Sequence, residues 1–284
     1  MESCPIDMDE LSDFCPTFDR PPVVETKISV QFAPLTGFRS GHFGLFWNDC
    51  VGVADWRIRE DSPPLPKEYE HFGSKAMRPQ GEVLDEEFPQ VRMRLFHKTQ
   101  NRRIQFQPNK LVYAWGKDKG SGSRPRFSKI KEEFEEIFEK LNAFAGSQNL
   151  PKPEVNLWEL TYVNQILPGK LWTTINDWHK VLPGLFPKVG PNSVGHEWSS
   201  FLGEWFFVIP PQQGRVHVKV QKAVSNQSED IVLLVNVTAA GEISENGTSD
   251  WKSGLDIGHR SALRVFFDLS SLEAKEEWGY KNDR

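Results

Sequence analysis

Apolar residues two apart open the ordered pattern of this 284-residue chain. Ile28, Val30 and Phe32 alternate with polar neighbours as on one face of a half-buried strand, and Pro34 and Gly37 end the run. Residues 38–50 carry a weaker pattern that suits a short helix. A stretch rich in proline, glycine and acid, between 60 and 88, reads as a long surface loop. Residues 91–98 and 102–107 then alternate as paired strands, and Pro108 and Asn109 turn the chain into a third strand over 111–115. The clearest helix follows: Phe127, Ile130, Phe134, Ile137, Phe138, Leu141 and Phe144 recur at helical spacing. Glu132, Glu133, Glu135 and Glu136 form its wet face, and Gly146 supplies a stop.

Pro151 and Pro153 mark a seam, beyond which the order of elements repeats. A strand over 156–166 leads to a helix carrying Leu171, Ile175, Trp178 and Leu182 on one side. Strands over 197–209, 215–224 and 231–239, a polar loop at 244–249 and a closing helix follow. Trp251, Leu255, Ala262, Val265, Phe266, Leu269 and Leu272 stripe that helix. The interval from Ile28 to Leu160 carries the segment 28–37 onto the similar segment 160–169. The same interval carries Ile130, Phe134 and Ile137 onto Ala262, Phe266 and Leu269.

These patterns predict an α+β fold of duplicated β-α-β(3-4)-α units, one over 27–150 and one over 151–278. A mobile arm at 1–26 precedes them and a tail at 279–284 follows. Two such units can join their strands in one curved antiparallel sheet, with the long helices on one face and the other face free. TATA-binding-protein-like and helix-grip-like folds share this order of elements, an analogy of architecture and not of function.

Composition adds two points. The 20 Phe and 10 Trp exceed what filling cores ordinarily requires, which places some rings in a groove or interface, the alternative being large cores with partly buried Trp. A net charge of -5 gives no whole-molecule attraction for phosphate backbones or anionic lipid. It leaves room for a local basic strip: Arg92, Arg94, Arg102 and Arg103, with Lys98, lie on the expected hairpin, either as a nucleic-acid contact or as a solvated strand face. The segment 1–13 lacks a signal-peptide core, no run of about 18 apolar residues occurs, and the three cysteines are too few and scattered for a disulfide framework or zinc site. A cytoplasmic location with no membrane contact is the expectation. Asn226, Asn236 and Asn246 stand in glycosylation-type triplets that read as chance matches in that setting.

No catalytic set emerges. The seven histidines show no metal-ligand spacing, a Gly-x-Ser-x-Gly nucleophile turn is missing, and no cofactor motif occurs. The run 116–123 resembles an anion cradle but lacks P-loop order; it reads as a linker able to contact a phosphate ahead of a helix. For His217 the sequence offers no recognisable acid–base set, and the carboxylate runs at Asp85 to Glu87 and in the long helix suit solvated faces.

Binding candidates are better defined. Tyr162 and Asn164 share one strand face, where an Asn beside a Tyr implies either a polar pocket or a buried hydrogen-bond network. Gln107 shares a face with Gln105, Trp115 closes the next strand, and Arg124 and Arg126 stand where the long helix begins. Gln107, Trp115, Arg126, Tyr162 and Asn164 are therefore the candidate ligand- or partner-binding residues. Arg126 has the alternative of pairing with acids of its own helix.

At these residues the chain resembles a sporadically distributed family of uncharacterised prokaryotic proteins, about 250 residues long on the scale of a single domain. The likeness rests on segment 103–115, on Arg126 and Phe127 opening the helix, and on segment 158–166, where Gln165 replaces the arginine usual in that family. The resemblance covers most of 27–272 and implies membership of variable or defence-type loci, in an antiviral or toxin–antitoxin-like role. The expected function is a non-enzymatic binding protein that senses a small ligand or neutralises a protein partner. The alternatives are a nucleic-acid binder using the basic strand face, and a nucleotide or phosphate-ester enzyme with an unrecognised site.

Overall fold

A computed structural model of the chain describes residues 15–66, 87–117, 124–186, 199–211, 213–225, 230–244 and 248–280. The remainder of the expected arm, the cores of the 60–88 and 116–123 loops, positions 197–198 and the end of the tail lie outside the described residues, as do Asn226 and Asn246.

The fold is α+β, built on one large antiparallel sheet. In chain order its elements are β1 (Val23–Phe32), α1 (Ser40–Leu45), β2 (Trp56–Ser62), β3 (Arg92–His97), β4 (Arg102–Gln107), β5 (Lys110–Gly116) and α2 (Phe127–Ser147). Then come β6 (Val155–Ile166), α3 (Trp178–Val181), β7 (Leu202–Ile209), β8 (Gly214–Val224), β9 (Ile231–Glu242), α4 (Trp251–Leu269) and α5 (Leu272–Glu277). The nine strands run in the order β2-β3-β4-β5-β1-β6-β9-β8-β7. The first five strands and the last four therefore meet at a central pair, β1 against β6, with Ile28 opposite Leu160.

Period-two alternation decides which face is covered. Ile28, Val30 and Phe32 of β1, Leu160 and Tyr162 of β6, and Leu233, Val235, Val237 and Ala239 of β9 are all buried. They join a single apolar cluster with Ile130, Phe134, Leu141 and Phe144 of α2 and with Leu255, Ala262 and Phe266 of α4. Trp158 is wholly buried in that layer, where Gly254 and Gly258 of α4 leave space for its indole. Its Nε1 donates to Thr248 Oγ1 at 2.8 Å, the partner a buried indole requires.

The opposite face is polar and largely paired within itself. Thr161 and Thr238 hydroxyls meet at 2.9 Å, Lys110 lies 3.7 Å from Glu159, and Arg103 is paired with Glu25.

Several elements differ from expectation for local reasons. β1 begins at Val23, and residues before it pack against the end of the chain: Arg20 N donates to Trp278 O at 2.9 Å, and the Phe18 ring meets Phe266 and Trp278. β2 lies partly within the expected loop; its charged sequence suits an edge strand. The short helix over 38–50 is α1 continued by a π-helical turn, Phe46–Val51. The helix expected over 171–182 shrinks to a 3-10 turn, Ile175–Asp177, and the one-turn α3, because Asp177 ties down Thr173 and Thr174 and Pro183 bars continuation. The closing helix breaks at Ser270, and the Ser271 hydroxyl caps α5 by accepting from Ala274 N.

Candidate functional site

A cavity of about 680 Å³ lies between the central strands and the two long helices. Its floor is Val23, Tyr162, Asn164 and Val237, its sides are the start of α2 and the middle of α4, and residues 15–21 run across it as a strap. This volume falls within the range of small-molecule sites.

Tyr162 and Asn164 point to the helical side because they alternate with Thr161 and Val163, which face outward. Both are buried, Asn164 being 1% exposed. The Asn164 amide Nδ2 donates to Val235 O at 3.1 Å and to Tyr162 O at 3.4 Å, which fixes the orientation of the group. Its Oδ1 has no hydrogen-bond partner among the described residues. An unpaired buried acceptor costs about 1–3 kcal/mol.

The Tyr162 hydroxyl shares a 2.7 Å hydrogen bond with His259 Nδ1. Burial and the nearby Arg124 charge push the His259 pKa down to about 4, leaving a neutral ring at neutral pH. Burial pushes the Tyr162 phenol well above its ordinary value. The His259 ring also stacks on Phe127, with centroids 4.1 Å apart and planes within 14°.

Above this pair the first turn of α2 has neither a side-chain cap nor an acidic residue. Arg126 occupies the N-cap position and is exposed at the cavity mouth. Arg124 lies deeper: its guanidinium sits over the Tyr162 ring, 5.3 Å from the centroid, and donates to Thr26 Oγ1 at 3.3 Å. Its Nε has no partner among the described residues, and burial lowers its pKa. The N-terminus of α4 is finished differently, with Asp250 accepting from Lys252 N and Ser253 N.

Of the five residues proposed from sequence, Arg126, Tyr162 and Asn164 line this one cavity. Gln107 and Trp115 do not. Gln107 is buried at the β4–β5 turn, where its side chain bonds Leu65 N, Leu65 O and Asn109 Oδ1. Trp115, 2% exposed, belongs to the apolar core. The basic strip also divides. Arg92, Arg94 and Arg103 occupy the outer face, Arg103 paired with Glu25, while Arg102 points to the helical side and holds Glu133 of α2 at 2.7 Å. Consecutive strand residues face opposite ways, so Arg102 and Arg103 cannot serve one surface.

His259 and Phe18 went unrecognised in the sequence. His259 falls on the buried stripe of α4 with Leu255, Ala262 and Phe266, and it stands one repeat interval after Phe127. A polar side chain on that stripe was the available signal; Phe18 gave none.

Among the described residues no group of His, Cys, Asp or Glu could hold a metal ion, and no helix is long and apolar enough to cross a membrane. No family model and no curated protein matches the chain.

Proposed function

We propose that the chain is a cytoplasmic, non-enzymatic binding protein that senses a small ligand in the cavity between its sheet and its long helices. One observation carries this reading: a buried acceptor without a partner, Asn164 Oδ1, shares a cavity with an uncapped helix start flanked by Arg124 and Arg126. Polar groups are rarely left this way unless something outside the chain completes them. A role in a defence or toxin–antitoxin-like module rests on the family resemblance alone.

The two halves are read as one duplicated unit, in a TATA-binding-protein-like or helix-grip-like arrangement. Support comes from positions one repeat interval apart that meet in space: Ile28 pairs with Leu160 at the centre of the sheet, and Phe127 stacks on His259. The same comparison accounts for the cavity. The first two turns of α4 cover Trp158, whereas of the counterpart positions before Phe127 the described ones, Arg124 to Arg126, are not helical. Thr26 stands where the second half has Trp158, leaving space unfilled.

The test is native mass spectrometry of the full-length protein purified from its own cells, beside Ala262→Phe, which adds a ring to the cavity wall. A small-molecule adduct on the wild type and its loss from the variant are expected. Absence of an adduct, or equal retention by both proteins, counts against the reading.

A second reading, binding of unpaired nucleic acid, is favoured by Arg92, Arg94 and Phe96 sharing the outer face of β3. Failure to bind single strands at low salt would remove it.

A further inference from the structure

Resting on the reading of the cavity as a ligand site, we infer that its ligand is a nucleoside monophosphate, with the phosphate at the start of α2 and the base toward Asn164.

The phosphate end is set by charge and by backbone donors. α2 is 21 residues long, and the amides of Phe127 and Ser128 have no acceptor within the helix, the first intrahelical bonds coming from Lys129 N and Ile130 N to Arg126 O. The helix dipole favours negative charge there, and a phosphate accepts several donors at once. Arg124 and Arg126 add two guanidinium groups on the same wall. Among the described residues Asp19 on the strap is the acidic one lining the cavity, and Asp256 of α4 is drawn to Lys131 at 2.7 Å. The start of α4 is satisfied by the carboxylate of Asp250, and among the described residues no such group serves α2.

The other end is set by the fixed amide of Asn164. Its Nδ2 is committed to two carbonyls, so the group Asn164 has left to offer is a buried acceptor, and a ligand that reaches it must bring an N–H or O–H donor. An amino or imino group of a base is such a donor. The stacked Phe127 and His259 rings and Phe18 of the strap also line the cavity, apolar surface suited to a flat aromatic body. Because His259 is neutral at neutral pH, it adds no charge against such a body. A bare phosphate would leave Asn164 unpaired, and a nucleoside would leave the start of α2 unpaired.

The experiment is calorimetric titration of the full-length protein with the four ribonucleoside monophosphates, the matching nucleosides and inorganic phosphate. At least one monophosphate is expected to bind about tenfold or more tightly than its nucleoside, the equivalent of one charge-assisted contact. Arg126→Gln, an exposed change, should weaken the monophosphate about tenfold and leave the nucleoside unchanged. Asn164→Leu should weaken both about equally. Failure of all four monophosphates to bind overturns the inference, as does equal binding of monophosphate and nucleoside. If the monophosphates fail while the wild type carries an adduct that Ala262→Phe loses, the cavity remains a ligand site and only the nucleotide assignment falls. If that adduct is missing as well, both fall.

Discussion

His259 ties the pH response of the fold to its candidate site. Its folded-state pKa of about 4 lies below the ordinary 6.5, so the unfolded chain binds more protons in that interval. The contribution of the neutral ring is fully present above about pH 6.5 and is lost as pH falls toward 4. On the order of 3 kcal/mol is at stake, from the energy of each pKa unit. Urea melts of wild type and His259→Gln between pH 7 and 4 should show a stability difference that shrinks with acid; a constant difference would contradict the assignment. The partner hydroxyl is worth less. Tyr162→Phe leaves the ring packing intact and should cost about 1 kcal/mol, read from the same melts at pH 7.

At the scale of elements, α4 depends on what it leaves out. A Cβ on Gly258 would come within 2.6 Å of Trp158 Cζ3, and Trp158 is wholly buried and held by Thr248. Helix propensity alone would make Gly258→Ala stabilising by about 1 kcal/mol. Overpacking against a fixed indole reverses the sign, and a net loss of about 1–3 kcal/mol is expected by thermal or chemical denaturation. On the other long helix, Glu133 accepts from Arg102 and Tyr113, and these hydrogen bonds lower its pKa against the opposing effect of burial. Glu133→Gln should destabilise by about 1–2 kcal/mol, and the loss should be smaller in Arg102→Gln, where the charged partner is already gone.

The elements that were legible in the sequence are those whose burial follows a strict period. β1, β6 and β9 have apolar residues every second position, and α2 and α4 carry a broad apolar stripe. β2 was not, because its sequence is mostly charged and, of its two apolar residues, Trp56 is buried while Ile58 is exposed. The candidate site divides on the same principle. Tyr162 and Asn164 announced themselves as polar atoms on a face that should be apolar, while Gln107 satisfies its amide at a turn that no period reveals. Trp115 looked like a groove residue because aromatic size does not tell which layer a strand face meets.

For the molecule as a whole, the central pairing sets the folding unit. β1 is held between β5 and β6, so half of its hydrogen-bonding capacity is met by a strand from the far half of the chain, as Ile28 opposite Leu160 shows. Residues 15–147 alone would expose that edge and the apolar face of α2 that meets Trp251 of α4. Such a fragment should aggregate or remain unfolded by circular dichroism and size exclusion, whereas the full chain unfolds in one transition; a stable monomeric fragment would refute the dependence. The strap extends this to the cavity. Arg20 Nη2 reaches Glu277 O across 257 residues of sequence, and Phe18 rests on rings of α4 and the turn after α5. On the ribosome, therefore, the wall formed by the strap is the last to be set, and a chain still being synthesised holds an open trough where the finished protein has a pocket.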